Sequence, residues 1–411
     1  MTIITEPADT QSVELKSHLH PEPSWQHADH VMPTGREETW RFTPLDRFAA
    51  VLDGRARNAA QLSLQLPDGA THSKIAAAQA RELSFDAPVD LVAANAVLGE
   101  QADLIEIAAK AELSEPLVVD VQGAAAQASH LIIKAGQQSN SVVVLRHRGA
   151  GELASKIEIQ VADGAELQLI SLQDWSAGAV HAGQVSVQVG RDANVRTFQA
   201  SIGGGDVRLV ERAVYTGTGG ELTQQGIYFV DAGQHVEHRM FVDHNHPHTV
   251  SLVDYRGALQ GKAAHSVWIG DVVIRKVAVD IETYETNKNL MLTEGCQADS
   301  VPNLEIETGE IRGAGHSSST GRFDDEQLFY LRSRGIPEEL ARRLIVEGFF
   351  LDLIRKLGQP EIEGRLVEAL TETLANIEGV QDEAALIDDE QLELNMGAAG
   401  QTPEAVEQDA K

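Results

Sequence analysis

His244, His246 and His248 alternate in the stretch DHNHPHTVS and form the densest set of metal-ligating side chains in the sequence. Alternate residues of an extended segment share a face, so this spacing could present three imidazoles to one zinc or iron ion, with Asp243, His235 and His238 close by in sequence. Pro247 argues for an edge or a loop, where histidines are more often simply exposed. A second candidate is His316 in GAGHSSSTGRFDDEQLFYLRSRGIP, residues 313–337, where small and hydroxyl residues give way to charged, helical sequence. The plainer reading is a strand-end residue bonded to Ser317, Ser318 or Ser319. Cys296, the single thiol, follows Gly295 in a turn phrase and fits a small buried filler better than a ligand.

No catalytic constellation accompanies these residues. There is no phosphate-binding GxxxxGK[ST]; GALQGKA has one residue too few between its glycines and lacks the final hydroxyl. Neither a GxSxG elbow nor HExxH is present. The chain is therefore expected not to be an enzyme. The alternative is a β-helix or cupin-like metal-dependent enzyme using His244, His246 and His248.

The chain has 62 acidic and 33 basic residues, a formal charge of −29. That balance disfavours nucleic acid and anionic lipid and points to protein partners. With 411 residues, 42% of them hydrophobic, there is enough chain for two or three domains. No apolar run approaches the roughly 18 residues of a membrane span, and the N-terminus lacks a secretory pattern. One cysteine allows no intramolecular disulfide, in keeping with an expected cytoplasmic location.

Five segments are expected. Residues 1–32 read as a disordered tail, with His18, His20, His27 and His30 irregularly spaced, and 33–114 as a mixed α/β region. There TWRFTPLDRF (residues 39–48) supplies apolar bulk to dock onto something larger, while residues 74–82 and 101–112 have helix-favouring composition. From 115 to 320, period-two alternation predicts half-buried strands: Ile157, Ile159 and Val161 share one face, as do Leu167 and Leu169, and Val185, Val187 and Val189. Recurring glycine turns allow either a coiled solenoid or a β-sandwich. Residues 321–380 read as helical, with Asp324 and Gln327 as a capping pair and Gly335 as a stop. Pro337 opens a helix too apolar for one neighbour to cover, and Ile362, Leu366, Leu370 and Leu374 recur at spacing four. Residues 381–411 carry nine carboxylates and one lysine and read as an acidic disordered tail, or as a peptide folding onto a basic partner through Leu392, Leu394 and Met396.

The run from Asn289 to Phe350, NLMLTEGCQADSVPNLEIETGEIRGAGHSSSTGRFDDEQLFYLRSRGIPEELARRLIVEGFF, resembles the C-terminal signature of the SufB/SufD scaffold family of SUF iron–sulfur cluster assembly. DHNHPHTVSLVDYRG (243–257) and TWRFTPL (39–45) resemble two further family segments, the latter in the SufD branch. The single thiol and the phrase GRFDDEQLFYLRSRGI also favour SufD over the cysteine-bearing SufB. The resemblance implies a mainly β fold: a right-handed parallel β-helix between an N-terminal mixed α/β region and a C-terminal α-helical domain. It implies pairing with SufB through the β-helix, with a homodimer as the alternative for the isolated chain, and binding of the ATPase SufC through the helical domain. Phe329, Leu331, Leu344, Phe349, Phe350 and Ile354 are the expected partner contacts. His316 matches the family histidine near the SufB interface, which implies a transient iron–sulfur cluster or iron there and no tightly bound cofactor. Where many SufD proteins carry a cysteine two residues earlier, this chain has Ala314, so any thiolate must come from SufB or from Cys296.

Overall fold

The alternating segments become strands, and their apolar faces meet: Ile157, Ile159, Val161, Leu167, Leu169, Val185, Val187 and Val189 all lie in one buried core. In the computed structural model, which describes residues 22–322 and 325–375, each strand from Gln101–Ile107 onward pairs in parallel not with the next strand but with the next but one. Glu152–Val161 pairs in parallel register with Val180–Val189, and that strand with Asp206–Tyr215. Glu166–Trp175, Asn194–Ser201 and Glu221–Val230 form the same succession opposite. Two parallel sheets therefore grow side by side around a lumen, giving a parallel β-solenoid of about eight turns. This is the expected β-helix; the sandwich alternative is excluded by the parallel, every-other pairing.

The turns stack as strictly as the strands. Lys110, Gln138, Gly164, Asp192, Gly219, His248 and Asp280 occupy one column with left-handed backbone, φ between 53° and 76°. Each donates its amide to a carbonyl one coil further on, as Gln138 does to Asp163, Asp192 to Thr218 and His248 to Val279. A left-handed residue with a Cβ costs roughly 1–2 kcal/mol; here the inter-coil hydrogen bond that it enables offsets the strain.

The first coil begins earlier than residue 115. Gln101–Ile107, expected to be helical, is a strand that pairs with Gln127–Ala135 in parallel and with Ala70–Ala76 in antiparallel register. Its helix-favouring composition is overridden because Ile105 and Ile107 fill the lumen while Ala102 and Leu104 pack outside. Of residues 74–82, the first part is strand and only Ala77–Leu83 is helix. Gln61–Gln65 ends the other sheet in antiparallel register with Leu117–Gly123, and the segments around Trp40, Phe48 and Leu91 lie on the outer face of one sheet. Trp40 and Phe48 are buried there with Val51, Leu91 and Val92 against Ala154 and Ala182. A buried charge network fastens this layer: Arg208 Nη1 donates to Asp90 Oδ2 at 2.8 Å, and its guanidinium lies 3.7 Å from the Trp40 ring centre. Burial would raise the Glu237 pKa, but Arg208, His235 and Arg239 outweigh it and hold the carboxyl well below the usual range. Of the tail expected over residues 1–32, the described part is docked. His27 bonds to Asn95 Oδ1 and Ser24 to the Pro88 carbonyl. Residues 1–21, including His18 and His20, lie outside the described residues, as do Asp324 of the expected capping pair and the acidic segment 381–411 with Leu392, Leu394 and Met396.

The opposite sheet has an apolar outer face too, and the C-terminal helices cover it. Asp325–Ser333 ends at Gly335, Glu338–Ile354 starts after Pro337, and Pro360–Ala375 follows the left-handed Gly358. Val346, Phe350, Leu353, Ile354, Leu366 and Leu370 pack on Ile170, Phe198, Ile227 and Phe229. Arg256 stitches the seam, donating to the Phe349 carbonyl and to Asp352 Oδ2, both at 2.8 Å. No described helix is long and apolar enough to cross a membrane.

Candidate functional site

The last coil ends in two edges. Among the described residues, Gln297–Ile306 and Gly313–Arg322 are the terminal strands of their sheets, each paired on one side only. Solenoid edges of this kind offer a ladder of unpaired backbone groups to another chain. His316 lies within the second of these strands, not at its end, in register with Glu285 of the preceding coil. Glu285 is among the buried inward-facing residues, so His316, exposed itself, sits on the lumen side at the open mouth. Its ring makes no hydrogen bond to a described residue, so Ser317, Ser318 and Ser319 do not fix it.

Behind His316 the lumen turns polar. Thr283, Glu285, Asn287 and Asn289 are the inward residues of Glu282–Met291, and all are buried. Tyr228 donates to Asn289 Oδ1 at 2.6 Å, and Asn287 Nδ2 donates to the Tyr228 oxygen at 2.9 Å. One coil deeper, Tyr255 donates to Glu211 Oε1 at 3.0 Å, and His238 lies against the same carboxylate at 3.3 Å. Burial raises the pKa of both tyrosines, which keeps them as neutral donors. Glu285 stands apart from these bonded residues: neither carboxylate oxygen has a hydrogen-bond partner, although the residue is 2% exposed.

Burial, with a smaller contribution from Asp271, pushes the Glu285 carboxyl up to about 8. The folded chain therefore keeps a proton on this group from pH 4.5 to about 8 while the unfolded chain releases it. Stability is lost across that window as pH rises, by up to about 1.4 kcal/mol per pH unit. Glu285→Gln removes the titration. Denaturant unfolding at pH 5 and pH 8 should show the variant gaining on the native chain as pH rises; a difference independent of pH would refute the assignment.

The three alternating histidines are not brought together. The strand stops at His244, whose ring is buried between Thr249, Ser251 and Tyr215; Nδ1 lies 2.7 Å from Thr249 Oγ1. Burial lowers its pKa to about 3. His246 lies in the turn, and His248, in the left-handed column, faces Asp280 at 2.8 Å. The shared face requires continuous extended backbone, and the turn at Pro247 destroys it. Among the described residues no group of three or more His, Cys, Asp or Glu side chains could hold a metal ion. Cys296 donates to the Thr293 carbonyl at 2.9 Å and, half-buried, packs against the cluster that holds Tyr255, Leu259 and Trp268. It is a turn filler.

The expected partner contacts divide. Phe329 is 73% exposed and Leu344 41%, next to exposed Tyr330 and Leu340, and Leu331 is half-buried. Phe349 is half-buried beside Phe350. Phe350 and Ile354 are fully buried. They face their own solenoid because its outer face needs cover, so neither can touch a partner while the helices stay docked. What sequence reasoning missed is Glu285 with Asn287 and Asn289. The available signal was ETYETNKN, a strand with polar residues at every position, including those that the coil turns inward.

Comparison with known proteins gives a consistent picture. Residues 118–349 match the family model for the SUF system FeS cluster assembly SufBD core domain. An iron–sulfur cluster assembly SufBD family protein of Mycobacterium tuberculosis is 42% identical over 392 residues, 92% of this chain and 99% of the relative. The iron–sulfur cluster assembly protein SufD of Escherichia coli is 24% identical over 220 residues, 54% of this chain and 52% of that protein. SufD of Bacillus subtilis is 35% identical over 108 residues, 26% of this chain and 24% of its own length.

Proposed function

Because this chain belongs to the SufBD family of SUF iron–sulfur cluster assembly proteins, we propose that it works as the SufD-type, non-catalytic scaffold subunit. It pairs with SufB through the open end of the solenoid and holds the ATPase SufC on its C-terminal helices. The observation that carries this reading is the pair of one-sided terminal strands, with His316 exposed on the second of them. A partner strand added there would complete the ladder and enclose the imidazole, where it could serve as a ligand to iron or to a nascent cluster. The missing thiolate would then be SufB's, since Cys296 is committed to its turn.

For SufC, the surface in question is the exposed patch of Phe329, Tyr330, Leu340 and Leu344 on Asp325–Ser333 and Glu338–Ile354. A nucleotide-driven movement of SufC would pull on helices bonded to the solenoid through Arg256. Co-expression with SufB and SufC tests the assignment. Phe329→Asp combined with Leu344→Asp should leave SufB in the purified complex and lose SufC. Undiminished SufC would remove the patch from the account.

A further inference from the structure

The mouth of the lumen contains a second group with no structural employment. Glu285 and His316 are in-register neighbours on adjacent parallel strands, so their side chains leave the sheet on the same side. Adjacent strands in a sheet lie about 4.8 Å apart, a separation that one metal ion can bridge between a carboxylate and an imidazole. Both Glu285 oxygens are unpartnered although the residue is 2% exposed. Unlike Glu158, Glu211 and Glu237, which are bonded to neighbouring residues, it makes no ion pair or hydrogen bond with any described residue. The fold also keeps space for it: a Cβ at Gly270 would lie 2.7 Å from Glu285 Oε1. A buried carboxyl group without hydrogen-bond partners is costly, and a cation that displaces its proton is a ligand that would satisfy it.

We propose that Glu285 and His316 together form a binding site for a divalent first-row metal ion, ferrous iron in this setting, with Glu285 the inner and His316 the outer protein ligand. One oxygen and one imidazole nitrogen make a donor pair suited to such ions. The remaining positions face the open end, where water, sulfide or a partner's side chain completes the shell. Any proton on the carboxyl leaves to solvent as the ion binds. The inference rests on the reading of His316 given above and adds Glu285 to it.

Anaerobic equilibrium dialysis of the full-length chain against Fe(II) distinguishes the two claims. The native chain should bind one ion, and Glu285→Gln and His316→Ala should each weaken it roughly 10- to 100-fold, with Glu285→Asp recovering much of the loss. Unfolding curves guard against a folding artefact, since Glu285→Gln is expected to be at least as stable as the native chain at pH 8. Loss with His316→Ala but not with Glu285→Gln would overturn the role of Glu285 and leave the reading of His316 intact. Binding unaffected by either change would overturn both. No iron on the native chain would overturn this site while leaving His316 to act only in company with SufB.

Discussion

Replacing Arg208 with methionine is expected to destabilise the protein by about 3–5 kcal/mol, the usual result of removing one partner from a buried ion pair. The side chain is 1% exposed and serves four groups at once. It donates to Asp90 Oδ2 at 2.8 Å and to the Thr39 carbonyl at 3.1 Å, lies against the Trp40 ring, and pairs with Glu237 Oε1 at 3.4 Å. Methionine keeps most of the volume but leaves the buried Asp90 without its cation, although the Ala93 amide still donates to Oδ1. Glu237 would retain Arg239 and Thr43. The damage should therefore be local, loosening the layer around Trp40 and the helix Leu91–Ala96 before the solenoid opens. Urea unfolding combined with limited proteolysis would show early cleavage before residue 100, and adding Asp90→Asn should recover part of the loss. By contrast, Arg191→Ala should leave unfolding unchanged, because its ion pairs are exposed and 3.7–3.8 Å long. A native unfolding curve for Arg208→Met would mean that the network does not fasten the N-terminal layer.

Phe350→Ala should be comparably severe, about 3–5 kcal/mol for a large aromatic side chain removed from a packed interior. Phe350 is completely buried in the cluster that joins the helices to Phe198, Ile227 and Phe229. Its loss leaves a cavity at the seam itself, so the helices should detach as a unit while the coils remain. Tryptic cleavage within Glu338–Ile354, with unchanged β-type circular dichroism from the solenoid, would report that state. Phe329→Asp, on the 73% exposed side, should leave both measurements unchanged. The pair of substitutions separates two roles that sequence periodicity assigns to one apolar helix: holding the helices to their own solenoid, and offering a surface to another protein. Equal stability of Phe350→Ala and the native chain would contradict the packing described here.

Much of this architecture is legible in the residues. The alternation of KIEIQV and QVSVQV places every apolar side chain correctly in the lumen, and Gly335 and Pro337 mark the helix boundaries where the structure has them. Alternation is a local property, however, and says nothing about which strand a strand will pair with. The solenoid therefore came from the family resemblance, and the structure supplies the every-other pairing that explains it. Gln101–Ile107 departs from its helix-favouring composition because isolated propensity cannot anticipate a strand buried on both faces. Phe350 and Ile354 pack inward and not toward a partner for a related reason: the apolar outer face of the sheet that they cover is made by Ile170, Phe198 and Phe229, residues far away in sequence. The histidine cluster fails at one residue, because the turn that begins after His244 sends His246 and His248 away from the lumen. His316 is singled out by the family resemblance, whereas Glu285 becomes visible only once the register puts the two side by side.

The central claim is that the open end of the solenoid is a pairing surface, and single prolines at Ser317 and Ser318 test it most directly. Backbone amides of successive strand residues point to opposite edges, so one of these two donates to the ladder with Glu282–Met291 and the other points outward. Proline on an outward edge is tolerated by the strand but cannot donate to a partner. On co-expression with SufB, the proline at the inward amide should destabilise the chain, and the proline at the outward amide should leave it folded while SufB recovery drops roughly tenfold or more. Full recovery of SufB with the folded, outward-facing proline variant would contradict the account.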